Sequence, residues 1–204
     1  MIFDYAGVLS HHQSEQHWAR LVAAAGVPSE ELRRVYWDLR PPYDRGTDDG
    51  IAYWRKVGAA LGRAWSDAQI EALIGLDTES WVRMNPEVIA QLTALQSRRI
   101  PTAILSNMGV DLMRAVVARF AWIARCEVRT FSCAVGLVKP EAAIYERCVA
   151  ELGVAPGEAI FVDDRHENIV AAERVGLRGV LFADAAGLRA QLRSAASGAE
   201  EATP

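Results

Sequence analysis

Acidic residues stand at the ends of two short apolar segments of this 204-residue chain. Asp4 ends the opening segment MIFD, while Asp163 ends AIFVD and is followed by Asp164. Three carboxylates in one cleft repel one another unless a cation lies among them. Hard oxygen ligands suit Mg²⁺, which proteins usually hold with one or two carboxylates, water and substrate phosphate. The pattern therefore predicts a magnesium site beside which the Asp4 carboxylate can act as a nucleophile toward phosphorus.

Other polar residues adjoin apolar or helical segments in a similar way. Ser106 ends TAILS and is followed by Asn107, while Lys139 lies just before a predicted helix in which Pro140 suits the first position. The ammonium group would offset the negative charges of Asp4 and of a bound phosphate. The Ser106 hydroxyl and the backbone N–H groups after Asp4 would hold phosphate oxygens. These residues predict a phosphate-binding site beside the metal.

Strand-type segments alternate with helical ones along most of the chain. We predict strands at five nearly continuous apolar segments, residues 1–4, 102–106, 127–131, 159–163 and 179–182. We predict helices at residues 86–98, 110–120, 140–152 and 167–176. This alternation indicates an α/β fold with a doubly wound, Rossmann-like parallel sheet. Since such sheets bind ligands beyond the carboxyl ends of their strands, we expect the polar residues to meet at one edge.

Residues 12–81, called the helical insert below, interrupt this alternation with helical signals alone. SEELRRVYWDL and GIAYWRKVGAALG are amphipathic, and Ser66 with Gln69 forms a capping box ahead of IEALIGL. We predict three parts of the chain: an α/β core of residues 1–11 and 82–184, an all-helical cap of residues 12–81, and a C-terminal segment of residues 185–204. We expect the last segment to begin as a helix and to fray into a disordered tail after Ser197.

Aromatic residues recur at helical spacing in the insert, which is typical of a hydrophobic core. We predict that core from Trp18, Tyr36, Trp37, Tyr53, Trp54 and Trp65. One or two of these rings, with Arg40 or Arg45, are expected to line the substrate side.

The polar residues, in this order and spacing, resemble the motifs of the haloacid dehalogenase-like superfamily of hydrolases. Asp4 matches the nucleophile after the first strand, Ser106 the hydroxyl residue of the second motif, and Lys139 the lysine of the third. Asp163 and Asp164 match the acidic pair of the fourth motif. The resemblance covers the core, and the helical insert fits the subgroup whose cap lies between the first and second motifs. The set of four motifs is specific, although each alone is weak.

The resemblance implies a Mg²⁺-dependent phosphohydrolase that acts on a small phosphorylated metabolite through an aspartyl-phosphate. It assigns the metal to Asp4, the Ala6 carbonyl and Asp164, with Asp163 adjacent or acting through water and Asn168 hydrogen-bonded to this shell.

The resemblance also implies the phosphate contacts. Ser106 and Asn107 would bind the transferring phosphoryl group, and Lys139 would bridge that group to Asp4.

Ala6 departs from the family pattern. Phosphatases of this family usually carry Asp two residues after the nucleophile, where it protonates the leaving group and then activates water. Alanine can do neither, although its carbonyl can still serve the metal. His11 or His12 could replace the acid because imidazole titrates in the required range, but we favour a solvent-exposed hinge for both.

Two alternative functions remain from the sequence. A 2-haloacid dehalogenase would use the same Asp4 to displace halide from carbon, but it needs no cation, and the pair Asp163 and Asp164 argues against it. A non-catalytic phosphate-binding protein would keep the pocket without turnover. Phosphonatase and mutase activities lack a distinguishing residue, since Lys56 is the only lysine of the insert.

Composition excludes several partner classes. The net charge of −4 offers no basic surface for nucleic acid or an anionic membrane, and no apolar segment approaches the roughly 20 residues of a membrane span. Cys126, Cys133 and Cys148 lack metal-ligand spacing and are expected to be free thiols, as in a reducing compartment. With no signal-like start, we predict a cytoplasmic protein whose partner is a small phosphorylated molecule, and the sequence leaves its oligomeric state open.

Overall fold

The computed structural model describes residues 1–200, with side chains up to Arg193. This part of the chain contains one sheet of five parallel strands in the order β3-β2-β1-β4-β5. The strands are β1 (Ile2–Phe3), β2 (Ala103–Ser106), β3 (Val128–Phe131), β4 (Ile160–Asp163) and β5 (Arg178–Leu181). The predicted doubly wound, Rossmann-like fold is confirmed.

Central strand β1 shows why these segments are continuously apolar. Ile2 and Phe3 are fully buried, and their side chains point to opposite faces of the sheet. Ile2 belongs to the hydrophobic cluster on one face, with Phe161 of β4, whereas Phe3 belongs to the cluster on the other face, with Val162. Because helices cover both faces, neither side of the strand tolerates a polar residue until the strand ends.

Helices account for most of the remaining structure. In the described chain they are α1 (Glu15–Ala25), α2 (Ser29–Asp38), α3 (Arg40–Arg45), α4 (Gly50–Ala60), α5 (Asp67–Ser80), α6 (Pro86–Ser97), α7 (Val110–Arg119), α8 (Ser132–Val135), α9 (Ala142–Leu152), α10 (His166–Arg174) and α11 (Ala185–Glu200). Helix α11 is described as far as Glu200, and the expected fraying after Ser197 stays a prediction. The predicted tail's last residues, 201–204, lie outside the described residues.

Helix α9 begins later than the sequence predicts. It starts at Ala142, because Glu141 keeps an extended backbone and its N–H donates to the Val138 carbonyl oxygen at 2.9 Å. Lys139 and Pro140, joined by a cis peptide bond, therefore lie in a turn. The prediction that Pro140 is the first helical residue is wrong, and Lys139 reaches the sheet edge from that turn.

The helical insert contains α1 to α5 and no strand within residues 12–81. Four of its predicted core rings are buried in one hydrophobic cluster, namely Trp18, Tyr36, Tyr53 and Trp54. Trp65 is partly buried and packs against this cluster. The capping box of Ser66 and Gln69 is present at the start of α5. Trp37 is the exception, with 47% of its surface exposed. The division of the chain into core and cap domains stays a prediction.

The insert contacts the core through hydrogen bonds as well as packing. The Tyr43 hydroxyl of α3 donates to Asp111 Oδ2 of α7 at 2.9 Å. The Ser132 hydroxyl of α8 donates to the carbonyl oxygen of Asp44. These bonds hold α3 against α7 and α8, the helices that follow β2 and β3.

Membrane-spanning segments and cysteines were considered from the sequence, and the structure describes both. No helix in the described chain has both the length and the apolarity needed to cross a membrane. The three cysteines are unpaired, and burial raises the pKa of each thiol to about 11. They are therefore protonated near neutral pH, which makes them poor nucleophiles.

Gly46, directly after α3, gives a test of the contact between insert and core. Its φ is +84°, and an added Cβ would lie 2.2 Å from the carbonyl oxygen of Cys133. Gly62 has a similar φ of +66° but open space around it. Both alanine substitutions lose about 1–2 kcal/mol of free energy of unfolding to left-handed backbone strain. We expect Gly46→Ala to lose a further 1 to 3 kcal/mol, roughly, from the clash.

Urea denaturation of both variants measures this difference. Equal losses for Gly46→Ala and Gly62→Ala would contradict the close approach of α3 to α8.

Candidate active site

The carboxyl ends of β1, β2 and β4 bring three polar residues to one edge of the sheet. Asp4 directly follows β1, Ser106 ends β2 and Asp163 ends β4. The Asp4 N–H donates to the carbonyl oxygen of Val162 at 2.9 Å, so the pairing of β1 with β4 continues to the acid. All three polar side chains are buried. The parallel register therefore fixes their main chains side by side.

Lys139 places its ammonium group between two of these acids. Its Nζ atom lies 2.9 Å from Asp4 Oδ1 and 2.6 Å from Asp163 Oδ2. The lysine side chain is 2% exposed and the two acids are 7% and 0% exposed, so water screens these charges weakly. Two carboxylates thus share one cation, which leaves one net negative charge in the protein interior when both acids are ionised.

Asp163 is the more completely hydrogen-bonded of the two acids. The Asn168 side-chain amide donates to both of its oxygens at 3.0 Å, and the Arg165 N–H donates to Oδ1 at 2.8 Å. Asp163 therefore holds the lysine, and Asn168 holds Asp163. The sequence placed Asn168 in the shell around the metal ligands, and the structure brings it to Asp163.

Burial raises the pKa of Asp4 to about 7. The Lys139 ammonium opposes this effect, and the nearby Asp163 carboxylate adds to it. Burial alone would lower the pKa of Lys139, but the charges of Asp4 and Asp163 outweigh it and raise that pKa. Lys139 therefore stays charged, while Asp4 is the group whose charge is easily lost.

Asn107 and Ser106 lie beside this ion pair. Asn107 Nδ2 donates to the Lys139 carbonyl oxygen at 2.9 Å, and Asn107 Oδ1 accepts from the Lys139 N–H at 2.8 Å. The amide thus fixes the main chain of the lysine. The Ser106 hydroxyl is buried and makes no hydrogen bond of full geometry among the described residues, although it lies close enough to Asp4 to lower the pKa of that carboxyl slightly. Since buried hydroxyls are rarely left unpaired, this one fits a ligand oxygen.

Asp164 stands at the open side of the acid cluster. Its Oδ2 atom lies 2.9 Å from His12 Nε2, with the acid side chain 17% exposed. A Cβ on Gly7, whose φ is +81°, would come within 2.5 Å of Asp164 Oδ2 and 2.8 Å of His12 Nε2. Only glycine therefore allows the loop after Ala6 to pass this close to the acid.

The acid cluster fits a hard divalent cation. One carboxylate oxygen each from Asp4, Asp163 and Asp164 lies within 4.8 Å of the others. Such a set of oxygen donors suits Mg²⁺ better than softer metals. Because both oxygens of Asp163 already accept hydrogen bonds, Asp4 and Asp164 have more capacity to coordinate.

A cavity of about 770 Å³ opens above the cluster. Its floor includes Asp4, Ala6, Asn107, Lys139 and Asp164. The helical insert supplies much of the wall, including Trp37 and Arg40. The cavity is large enough for a small organic ligand whose phosphate rests on the floor.

A comparison with family models decides the classification. The model of haloacid dehalogenase-like hydrolases matches residues 1–176, well over half of the chain. The chain belongs to this family. The predicted family and the predicted hydrolase class are thereby confirmed.

Curated relatives of this HAD-like hydrolase include phosphatases. Validoxylamine A 7'-phosphate phosphatase of Streptomyces hygroscopicus subsp. limoneus is 25% identical over 179 residues, which are 86% of this chain and 81% of that protein. A sesquiterpene phosphatase of Aspergillus oryzae is 24% identical over 153 residues, 74% of this chain and 76% of that protein.

Solved structures share the fold. An HAD family enzyme of Bacteroides thetaiotaomicron, solved with magnesium and inorganic phosphate, superposes with a TM-score of 0.74 at 19% identity. The match covers 88% of this chain and 91% of that one. At this identity the likeness shows the fold alone.

Several cavity residues of the HAD-like hydrolase were not singled out by sequence reasoning. Trp81, at the return from insert to core, lines the wall and was not considered. Arg40 lines it as anticipated, but its guanidinium is buried against Asp44 at 2.9 Å and Asp77 at 3.0 Å. Arg45 instead pairs with Glu141. The sequence contained one indication of this burial: Asp77 lies within the apolar helix segment IEALIGLDTES, and a buried acid there needs a cationic partner such as Arg40.

The histidines divide between the cavity and its surroundings. His12 lines the cavity wall and contacts Asp164, whereas His11 is absent from that wall in the described structure. His17 contacts the capping residue Ser14 through Nδ1 at 2.7 Å. Of the two histidines considered as substitutes for the missing acid, the structure thus brings His12 to the site.

The raised pKa of Asp4 predicts how metal-free stability depends on pH. A folded pKa of about 7 exceeds the unfolded value, so the carboxyl's contribution to stability is present at low pH and lost as the pH rises through about 7. Asp4→Asn stays neutral throughout. The loss runs from the unfolded pKa of about 4 to about pH 7, so we expect the stability of this variant relative to wild type to increase by more than about 1 kcal/mol between pH 5 and pH 8.

Urea denaturation in chelator at both pH values measures this. Asp67→Asn, which removes an 82% exposed carboxylate, is the charge-matched control and should show no such trend. An Asp4→Asn difference that does not change with pH would contradict the burial argument.

Proposed function

We propose that this HAD-like hydrolase is a Mg²⁺-dependent phosphatase of small phosphorylated metabolites, with Asp4 as the covalent nucleophile. The observation that carries the proposal is the placement of Asp4 against the buried Lys139 ammonium on the floor of the cavity, among three clustered acids. The phosphatases among the curated relatives support this chemistry.

The metal would be held by Asp4, Asp164 and the carbonyl of Ala6, with Asp163 acting through its neighbours or through water. When bound, Mg²⁺ supplies positive charge that neutralises the phosphate and allows an anionic nucleophile to approach it. Asp163 is suited to the supporting position because Lys139, Asn168 and the Arg165 N–H already occupy its oxygens.

Asp4 attacks as a carboxylate, so the ion pair with Lys139 has a direct role. A carboxylate oxygen forms a bond to phosphorus while the bond from phosphorus to the ester oxygen breaks, and the alkoxide leaves with the bonding electron pair and takes a proton from solvent water. Water then attacks the aspartyl-phosphate, which releases inorganic phosphate and restores the carboxylate.

Three groups beside Asp4 would hold the phosphate oxygens. Lys139 Nζ has donors to share between Asp4 and the phosphate, and the buried Ser106 hydroxyl can donate to it. Asn107 positions the lysine through its main chain and lies on the cavity floor, where its amide can also reach the phosphate.

The first test measures phosphate release from a panel of organic phosphates with and without Mg²⁺. We expect Mg²⁺-dependent turnover by wild type and a loss of more than about a thousandfold in Asp4→Asn, because the nucleophile acts only as a charged group. Asp164→Ala should require more Mg²⁺ for half-maximal activity.

Asp67→Asn again serves as the matched control and should retain wild-type turnover. Substantial activity in Asp4→Asn would exclude covalent catalysis by this residue.

The second test addresses the alanine at position 6. General acid help contributes about 10²–10⁴ in rate and matters most for poor leaving groups. Without a carboxyl here, wild type should cleave an aryl phosphate, whose phenolate leaves unaided, much faster than a hexose phosphate. Ala6→Asp should raise turnover of the hexose phosphate more than that of the aryl phosphate.

His12→Ala distinguishes an absent acid from a substituted one. A selective loss on the hexose phosphate would identify His12 as the substitute. Equal rates on both esters in wild type, unchanged in His12→Ala, would show that the missing carboxyl does not limit turnover.

A further inference from the structure

The cavity wall carries an aromatic corner, with one exposed ring and one ring that is only 6% exposed, that the chemistry on the floor does not use. Trp37, in α2, is 47% exposed although it borders the cavity. Trp81 stands beside it with ring centroids 6.3 Å apart and planes at 80°. Large aromatic surface left open at a cavity usually marks a place where an apolar partner binds.

The ring of Trp81 is fixed with its polar atom turned away from the cavity. Its Nε1–H faces Asp77 Oδ1 at 3.3 Å and the Tyr36 hydroxyl at 3.4 Å, both of which are buried in the insert. Trp81 is 6% exposed, and the part of its indole that borders the cavity is therefore carbon and not the N–H.

The aromatic corner is continuous with the floor. His12 lies 2.9 Å from Asp164, and the His12 ring stands edge-on to Trp81 with centroids 6.4 Å apart. Trp81 in turn contacts Trp37. A molecule whose phosphate occupies the floor can therefore reach both indoles with its organic part.

The charged side chains of the wall already pair with one another. Arg40 is held by Asp44 and Asp77, and Arg165 pairs with Glu167. Sugar hydroxyls would have to compete with these ion pairs for hydrogen bonds. Pro41, Leu112 and Val138 add apolar surface to the wall and offer a sugar no side-chain hydrogen bonds.

We propose that the organic part of the substrate is an apolar group, best matched by a flat ring, which packs in the corner between Trp37 and Trp81. This proposal rests on the proposed function, since it takes the phosphate to lie beside Asp4 and Lys139. It assigns specificity to burial of apolar surface against the indoles, and it disfavours polyhydroxylated esters.

Three esters of primary alcohols test the proposal. Their leaving groups are similar, so the absence of a general acid at position 6 affects all three alike. We expect kcat/KM for naphthylethyl phosphate to exceed that for ethyl phosphate and for a hexose phosphate by about tenfold or more. Trp37→Ala should remove most of this advantage, because kcat/KM for naphthylethyl phosphate should fall much more than kcat/KM for ethyl phosphate. Trp37→Phe, which keeps a ring, should retain part of it.

Trp122→Ala is the matched control. It removes a partly buried indole that stacks on Phe120 and does not border the cavity, so the preference should persist. Preference for the hexose phosphate, equal rates on all three esters, or an unchanged preference in Trp37→Ala would overturn the proposal while the phosphatase assignment stood.

Calorimetric binding of two phosphonates, which cannot be hydrolysed, separates this proposal from the proposed function. Naphthylethylphosphonate should bind about tenfold tighter than ethylphosphonate to wild type, but not to Trp37→Ala. That result would support the apolar corner even if no ester were hydrolysed. Equal or absent binding of both phosphonates would overturn it.

Discussion

The buried ammonium of Lys139 is the interaction on which the site depends. It is shared by two carboxylates, Asp4 and Asp163, at the edge of an apolar sheet. Removal of the lysine would leave two buried carboxylates without a counter-charge, which is strongly destabilising, whereas neutralisation of Asp4 still leaves Lys139 paired with Asp163. Asn107 on the lysine main chain and Asn168 on Asp163 therefore hold charges that the fold itself needs to keep in place.

The two acids beside Lys139 are not equivalent, and their hydrogen bonds explain why. Asp163 accepts hydrogen bonds from several donors. For Asp4, burial destabilises the carboxylate more than its interactions with Lys139 stabilise it, so the pKa of Asp4 is raised to about 7. A carboxylate that is weakly satisfied by the protein interacts more strongly with an added cation or phosphorus atom. The unequal shells thus make Asp4 the reactive acid and Asp163 the supporting one under the proposed mechanism.

Sequence reasoning succeeded where the cause is local. Continuous apolar segments predicted all five strands, and polar residues at their ends predicted which side chains meet at the sheet edge. It failed on features that depend on distant contacts. The turn at Lys139 is fixed partly by Asn107, 32 positions away, and the burial of Arg40 depends on Asp77, 37 positions away. Nor does the local sequence show that Trp81 borders a cavity.

The buried polar cluster of the insert explains how the cavity wall keeps its shape. Arg40 and Asp77 form an ion pair that also binds the Tyr36 hydroxyl, and the guanidinium lies within 5.0 Å of the Tyr36 and Tyr43 ring centroids. Gln13, where the chain enters the insert, and Trp81, where it leaves, both hydrogen-bond to Asp77. Because one cluster holds both connections, the Trp81 indole is oriented before any ligand arrives. A ligand that packs against it therefore spends less free energy on ordering the wall than it would against a flexible loop.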